Sequence, residues 1–122
     1  MTSICMYFEV HQPLRLNRFS VFNIGNSDSN GVYFNEKLNK EIFEKVARKC
    51  YLPTNNLLLN LINKFDGKFK ISFSLTGTFI EFCENFMPEL IDSFKELFKT
   101  GAVDMIEETY YHSLSSLYDD LD

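Results

Sequence analysis

Side chains able to bind polar ligands or move protons are concentrated in two short stretches of the 122-residue chain. In the first, Glu9, His11 and Gln12 place a carboxylate, an imidazole and an amide directly after an apolar run. Such groups can donate and accept hydrogen bonds in one plane, which suits the hydroxyls of a sugar. The competing interpretation is a structural histidine at the end of a strand.

The second stretch is acidic and contains Asp104, Glu107, Glu108 and His112. Paired carboxylates can carry out acid–base chemistry when their surroundings separate their pKa values, although a solvated charged surface has the same composition. Motifs for other chemistry are missing from the sequence: it has no HExxH, no Cys-x-x-Cys, no phosphate-binding glycine loop and no Gly-x-Ser-x-Gly. We therefore expect no metal site.

Composition restricts the class of partner and the cellular location. The net charge of −5 argues against nucleic acid or an anionic membrane as a partner. No apolar run reaches the roughly 18 residues of a transmembrane helix, and no signal peptide is recognisable. Cys5, Cys50 and Cys83 are odd in number and widely spaced, which is typical of reduced thiols in a cytoplasmic protein.

The apolar pattern predicts three strands separated by pairs of helices. Asn35 and Thr54 are the predicted caps of the first two helices, and Pro53 is expected to interrupt the helical stretch between them. Residues 17–35 are predicted to form a long loop. The expected strands cover residues 3–10, 68–75 and 102–106, and the expected helices cover residues 36–50, 55–65, 78–86 and 88–99.

This element order predicts an α/β fold with parallel strands and helical crossovers. A three-stranded parallel sheet leaves apolar edges uncovered, so residues 1–122 are expected to be the opening portion of a larger structure, with no second domain. Because active sites of such folds lie at the carboxyl ends of strands, His11 and Asp104 are expected to face a common cavity.

Three segments resemble glycoside hydrolase family 57, in particular its α-amylase-like branch. They are ICMYFEVHQPLRLNRFSVFNIG, KCYLPTNNLLLNLI and GAVDMIEETYYHSLSSLYDDLD. They occur in the order and spacing of that family, and the likeness covers nearly all of the chain. The resemblance implies that residues 1–122 form the first three β/α units of a seven-stranded (β/α) barrel.

The resemblance also implies an activity and a set of binding residues. The family acts on α-glucosidic bonds with retention, through a carboxylate nucleophile and a carboxylic acid/base about 5 Å apart, and needs no cofactor. His11, Gln12, Asp104, Glu108 and His112 are the implied sugar-binding residues. Asp104 stands where a glutamate is usual, which shortens that side chain by one methylene.

The implied catalytic carboxylates, a glutamate nucleophile and an aspartate acid/base, are expected after residue 122. We therefore expect no catalytic residue and no hydrolysis from this chain alone. The expected partners are an α-glucan or maltooligosaccharide, and either the remaining part of the barrel or a second copy of the chain.

Three alternatives stay open at this point. A 4-α-glucanotransferase shares the covalent intermediate and passes it to a sugar rather than to water. A truncated, non-catalytic remnant would carry the same motifs. A polysaccharide deacetylase would need an Asp-Asp motif and a His-x-x-x-His pair, which this sequence lacks.

Overall fold

The computed structural model describes residues 4–23 and 33–113. A short 3₁₀ turn covers Val21–Asn23, and a π-helical turn, Ala47–Tyr51, joins the first two helices. The strands are β1 (Tyr7–Val10), β2 (Ile71–Leu75) and β3 (Val103–Met105), and the helices are α1 (Glu36–Val46), α2 (Leu52–Lys64), α3 (Gly77–Phe86) and α4 (Pro88–Lys99). None of the helices within these described residues is long and apolar enough to cross a membrane.

The three strands form one parallel sheet in the order β1-β2-β3. The strands follow one another across the sheet as they do along the chain, without the reversal that marks a doubly wound fold. A helix pair connects each strand to the next, and the two pairs pack against each other through α2 and α4 and through α1 and α3. This is the winding found in α/β barrels.

The two faces of the sheet differ in character. Val10, Ile71, Phe73 and Val103 are buried beneath the helices. In the paired register, Tyr7 lies opposite Ser72 and Ser72 opposite Asp104, while Glu9 lies opposite Ser74. Paired residues of neighbouring strands point to the same side of a sheet. We call this second side the polar face; it carries Tyr7, Glu9, Ser72, Ser74 and Asp104.

Phenylalanine rings form the centre of the core between helices and sheet. Phe79 lies with its ring centroid 5.9 Å from Phe43 and 5.7 Å from Phe94, and Phe94 is in turn 5.5 Å from Phe73 of β2. Most of these contacts are tilted or edge-to-face, which is the favoured geometry for aromatic pairs. The aromatic content of the chain is thus used to fix the helix pairs onto the sheet.

The predicted break at Pro53 is wrong. The chain continues from α1 into α2 through the π-helical turn, whose last bond runs from the Leu52 N–H to the Ala47 carbonyl. Pro53 is the second residue of α2, and Thr54 lies within that helix instead of capping it. A proline lacks an N–H and clashes with the carbonyl four residues earlier in a regular helix. The wider turn displaces that carbonyl, so the helical path is not broken.

The π-helical turn also keeps the buried side of the helical segment continuous. Buried side chains recur every four residues, at Asn39, Phe43, Ala47 and, after the half-buried Tyr51, Asn55. A regular α-helix has about 3.6 residues per turn, so a four-residue repeat drifts around the axis by roughly 40° per turn. The one extra residue of the wide turn cancels most of that drift.

Several predicted termini are confirmed, while the strands are shorter than predicted. The Asn35 side chain caps α1 by accepting a hydrogen bond of 2.9 Å from the Leu38 N–H. Helix α4 begins at Pro88, and Gly101 follows its end with a φ of +70°. Part of the predicted 17–35 loop and the polar tail after residue 113 lie outside the described residues.

Candidate functional site

Polar side chains from β1, from the end of β2 and from the loop after β3 meet on the polar face. We call this group the strand-end cluster; it comprises Tyr7, Glu9, His11, Ser74, Thr76, Glu108 and His112. The cluster lies at the carboxyl edge of the sheet, where α/β barrels place their active sites.

His112 links the carboxylate of Glu9 on β1 with that of Glu108 in the loop after β3. Its Nε2 lies 2.9 Å from Glu9 Oε1, and its Nδ1 contacts Glu108 Oε1. The hydrogen bond to Glu108 is the main factor that raises the pKa of His112, and the charge of Glu9 acts in the same direction. The protonated ring can donate from both nitrogens at once. The arrangement therefore favours the protonated form of His112.

Glu108 is itself held by a chain of hydroxyls. Its Oε2 accepts a 2.9 Å hydrogen bond from Ser74 Oγ, and Ser74 Oγ lies 2.6 Å from the Tyr7 hydroxyl. Because Ser74 has one hydroxyl proton and donates it to Glu108, Tyr7 must donate to Ser74. Desolvation would raise the pKa of Glu108, but the hydrogen bonds from His112 and Ser74 outweigh it and the pKa is lowered. Glu108 is thus held as a carboxylate.

His11 has the opposite electrostatic environment. Its Nδ1 lies 3.1 Å from Thr76 Oγ1 and 3.4 Å from Thr78 Oγ1, and its ring centroid is 5.1 Å from that of His112. Burial and the neighbouring charged His112 lower its pKa. His11 is therefore neutral near pH 7. Its Nε2 makes no hydrogen bond to any residue that the structure describes, which leaves this nitrogen for a ligand.

The loop that carries Glu108 and His112 is anchored on the start of α3. The Thr78 N–H donates a 3.2 Å hydrogen bond to the Tyr110 carbonyl, and the Tyr110 hydroxyl donates one of 2.9 Å to Glu81. A β-carbon at Gly77 would lie 2.0 Å from the Tyr110 ring, so this packing requires glycine. The anchor fixes the position from which the loop reaches back to β1.

The structure does not bring all predicted site residues together. His11, Glu108 and His112 belong to the strand-end cluster. Gln12 does not: it is buried, its Nε2 donates to the Tyr51 hydroxyl at 2.8 Å, and its Oε1 accepts from Arg15 at 3.4 Å. Asp104 is exposed on the polar face, but it pairs with Ser72. It therefore lies two residues closer to the amino ends of the strands than Ser74 does.

Four members of the cluster were not among the predicted binding residues: Tyr7, Glu9, Ser74 and Thr76. Their signal in the sequence is alternation, since positions 7, 9 and 11 share one side of β1 and positions 72, 74 and 76 share one side of β2. The sequence places Glu9 beside His11, and it places Ser74 and Thr76 at a strand end. It does not indicate which loop residues these side chains contact.

Glu9, Glu108 and His112 could in principle hold a metal ion, since one ligand atom from each lies within 4.8 Å of the others. No sequence motif indicated this grouping, because its members come from distant positions. Both imidazole nitrogens already face a carboxylate, however, and a metal would have to displace at least one of these contacts. The observed geometry is that of an imidazole ring held between two carboxyl groups.

The two histidines should titrate on opposite sides of the ordinary histidine pKa of about 6.5. We expect His112 above this value and His11 below it, and we expect Glu108→Gln to lower the pKa of His112. An NMR titration of the ring resonances measures both, with His11 as the internal comparison. Equal pKa values for the two rings would contradict this assignment.

The same shift predicts how stability depends on pH. The folded-state pKa of His112 is raised, so the stabilisation from its ion pairs is complete below about pH 6.5 and is lost as the pH rises through the raised value. Urea unfolding at several pH values should show this loss in the natural chain and not in a His112→Ala variant.

The parallel sheet with helical crossovers defines the class as an α/β protein, and its candidate site lies at the carboxyl edge, where α/β barrels place theirs. Residues 5–122 match the sequence profile of Glycosyl hydrolase family 57, and the chain belongs to that family. The three strands and their connecting helices are thus the first three β/α units of its seven-stranded barrel, and the predicted fold is confirmed.

A protein of Methanocaldococcus jannaschii named "Putative alpha-amylase" is 49% identical to this chain over 116 residues. The aligned region covers 95% of this chain and 24% of the relative, so the chain spans about a quarter of the length of the protein it matches. No solved structure gave a significant match.

Proposed function

We propose that these residues are the N-terminal part of a retaining, α-amylase-type glycoside hydrolase that cleaves α-1,4-glucosidic bonds, and that the strand-end cluster binds hydroxyls of the glucan. The observation that carries the proposal is the ordered relay from Tyr7 through Ser74, Glu108 and His112 to Glu9. It presents fixed donors and acceptors on the polar face of the sheet. The membership of the chain in family 57 and the name of the relative support the same class of substrate.

Each histidine has a distinct role in this proposal. The neutral His11 offers its Nε2 to a sugar hydroxyl, while its Nδ1 is held by Thr76. The charged His112 donates to the Glu9 and Glu108 side chains and holds them in place. Asp104, on the same face but in an earlier row, would contact a hydroxyl deeper in the barrel. Gln12 would act indirectly. Its hydrogen bond to the Tyr51 hydroxyl would hold the backbone segment that carries His11.

The catalytic carboxylates would come from polypeptide outside residues 1–122. Retaining glycosidases require a nucleophile and an acid/base on opposite sides of the scissile bond. In the strand-end cluster, the hydrogen bonds from His112 and Ser74 keep the pKa of Glu108 low, and Glu9 contacts the same imidazole ring. Glu108 is therefore not suited to donate a proton, and we assign both carboxylates to binding.

The test combines binding with turnover on the 122-residue chain. We expect maltopentaose to perturb NMR resonances of the strand-end cluster, and we expect no reducing-sugar release from starch. Cellopentaose, the β-linked isomer, is the control ligand and should give weaker perturbations. Turnover comparable to that of a full-length amylase would contradict the assigned absence of catalytic residues, and perturbations confined to another surface would contradict the assigned site.

A further inference from the structure

A second concave surface shares two backbone segments with the strand-end cluster. It is a cavity of about 540 Å³ between the chain that follows β1, the start of α1, and helix α3. We call it the aromatic groove, after the rings of Phe34, Phe82, Phe86 and Tyr111 that line it. Tyr111 directly precedes His112, and Leu14 of the groove follows closely on His11. The groove and the strand-end cluster are therefore carried by the same two backbone segments, residues 11–14 and 111–112.

The lining combines ring faces with hydrogen-bonding groups. Phe34 and Tyr111 are 42% and 69% exposed, so their rings are available to a ligand. Glu36 and Asn85 also line the groove, and their side chains form no hydrogen bond to any residue that the structure describes. The volume is in the usual range for ligand pockets, which are mostly apolar with a few placed polar groups.

The chemistry of this lining favours a neutral sugar. A pyranose ring has an apolar face, which can cover an aromatic ring, and a rim of hydroxyls, which can pair with carboxylates and amides. The carboxylates of Glu36 and Glu81 disfavour an anionic ligand such as a phosphate. They would also be costly to bury beneath a purely apolar ligand.

We propose that the aromatic groove is an additional glucan-binding subsite. It would hold sugar units of the same chain whose neighbouring units occupy the strand-end cluster, with Tyr111 as the stacking platform between the two. This proposal rests on the proposed function. It makes a separate claim about the length of the sugar ligand. Long maltooligosaccharides should bind more tightly than maltose, because only they reach both surfaces.

The experiment compares maltoheptaose and maltose binding by isothermal titration calorimetry. We expect Tyr111→Ala to weaken maltoheptaose binding about tenfold and to leave maltose binding within twofold of the natural chain. Tyr111→Phe keeps the ring and should retain most of the maltoheptaose affinity. The control is Phe65→Ala, which removes an exposed ring at the end of α2, near the amino end of β2.

The outcomes separate the two proposals. Unchanged maltoheptaose binding in Tyr111→Ala, or equal losses in the alanine and phenylalanine variants, would overturn the subsite and leave the proposed function standing. Failure of the natural chain to bind either sugar would overturn both. NMR of the natural chain gives a measurement without mutation: maltoheptaose should shift the ring resonances of Phe34 and Phe86, and maltose should not. Equal shifts with both sugars would count against the subsite.

Discussion

Replacing Phe79 with alanine should lower the free energy of unfolding by about 3–5 kcal/mol. The side chain is 1% exposed and contacts Phe43, Tyr51 and Phe94, so it joins both helix pairs. Its removal would leave a cavity that the surrounding rings, each held by other contacts, cannot fill. Since small domains are stable by only about 5–15 kcal/mol, the variant should retain little stability. Urea unfolding followed by circular dichroism measures the change.

The matched control for this prediction is Phe65→Ala. Phe65 is 48% exposed at the end of α2, and the Lys64 ammonium lies 5.6 Å from the centre of its ring. Its loss should change the free energy of unfolding by about 0.5 kcal/mol or less, as is usual for exposed positions. Similar losses in the two variants would mean that the helix pairs are not joined through Phe79.

Replacing Glu108 with glutamine should weaken maltopentaose binding at least tenfold. Glutamine keeps the size of the side chain but removes the charge that holds His112, and its amide can no longer accept from both His112 and Ser74 as the carboxylate does. The loop would lose its main contact with the polar face. Isothermal titration calorimetry measures the affinity, and a tenfold loss corresponds to about 1.4 kcal/mol.

Glu107→Gln is the control, because Glu107 is the neighbouring carboxylate and is exposed without a hydrogen bond in the part of the chain that the structure describes. It should bind maltopentaose within twofold of the natural chain. The ring pKa of His112 provides a second readout, since it should fall in the Glu108 variant and stay constant in the control. If Glu108→Gln lowers the pKa of His112 but keeps full affinity for maltopentaose, the hydrogen-bonded series from Tyr7 to Glu9 does not contribute to sugar binding.

The order of strands and helices could be predicted from the sequence because the signals for it are local. Alternation in β2, the Asn35 cap and the Pro88 start each depend on a few neighbouring residues, and all three are confirmed. The predicted interruption at Pro53 was wrong because proline breaks a helix only when the residues before it form a regular α-helical turn. In the wide turn before it, the Tyr51 ring packs on Phe79 of α3, and a local pattern does not contain this contact.

The candidate site was only partly predictable for a related reason. The contact of His112 with Glu9 joins positions more than a hundred residues apart, and it requires a left-handed φ of +57° at His112. The contact also depends on the packing of Tyr110 on Gly77. Gln12 shows the reverse case: its neighbour His11 faces the cluster, and alternation along the chain turns Gln12 toward Tyr51.

The π-helical turn has a consequence for length variation among homologues. Deleting one residue from Ala47–Tyr51 would convert it into a regular turn and rotate α1 by roughly 100° about its axis relative to α2. Asn39 would then swing away from the Arg15 N–H, which it now accepts at 3.0 Å. Alignments of this family should therefore show gaps within residues 17–35 far more readily than at this single helical position.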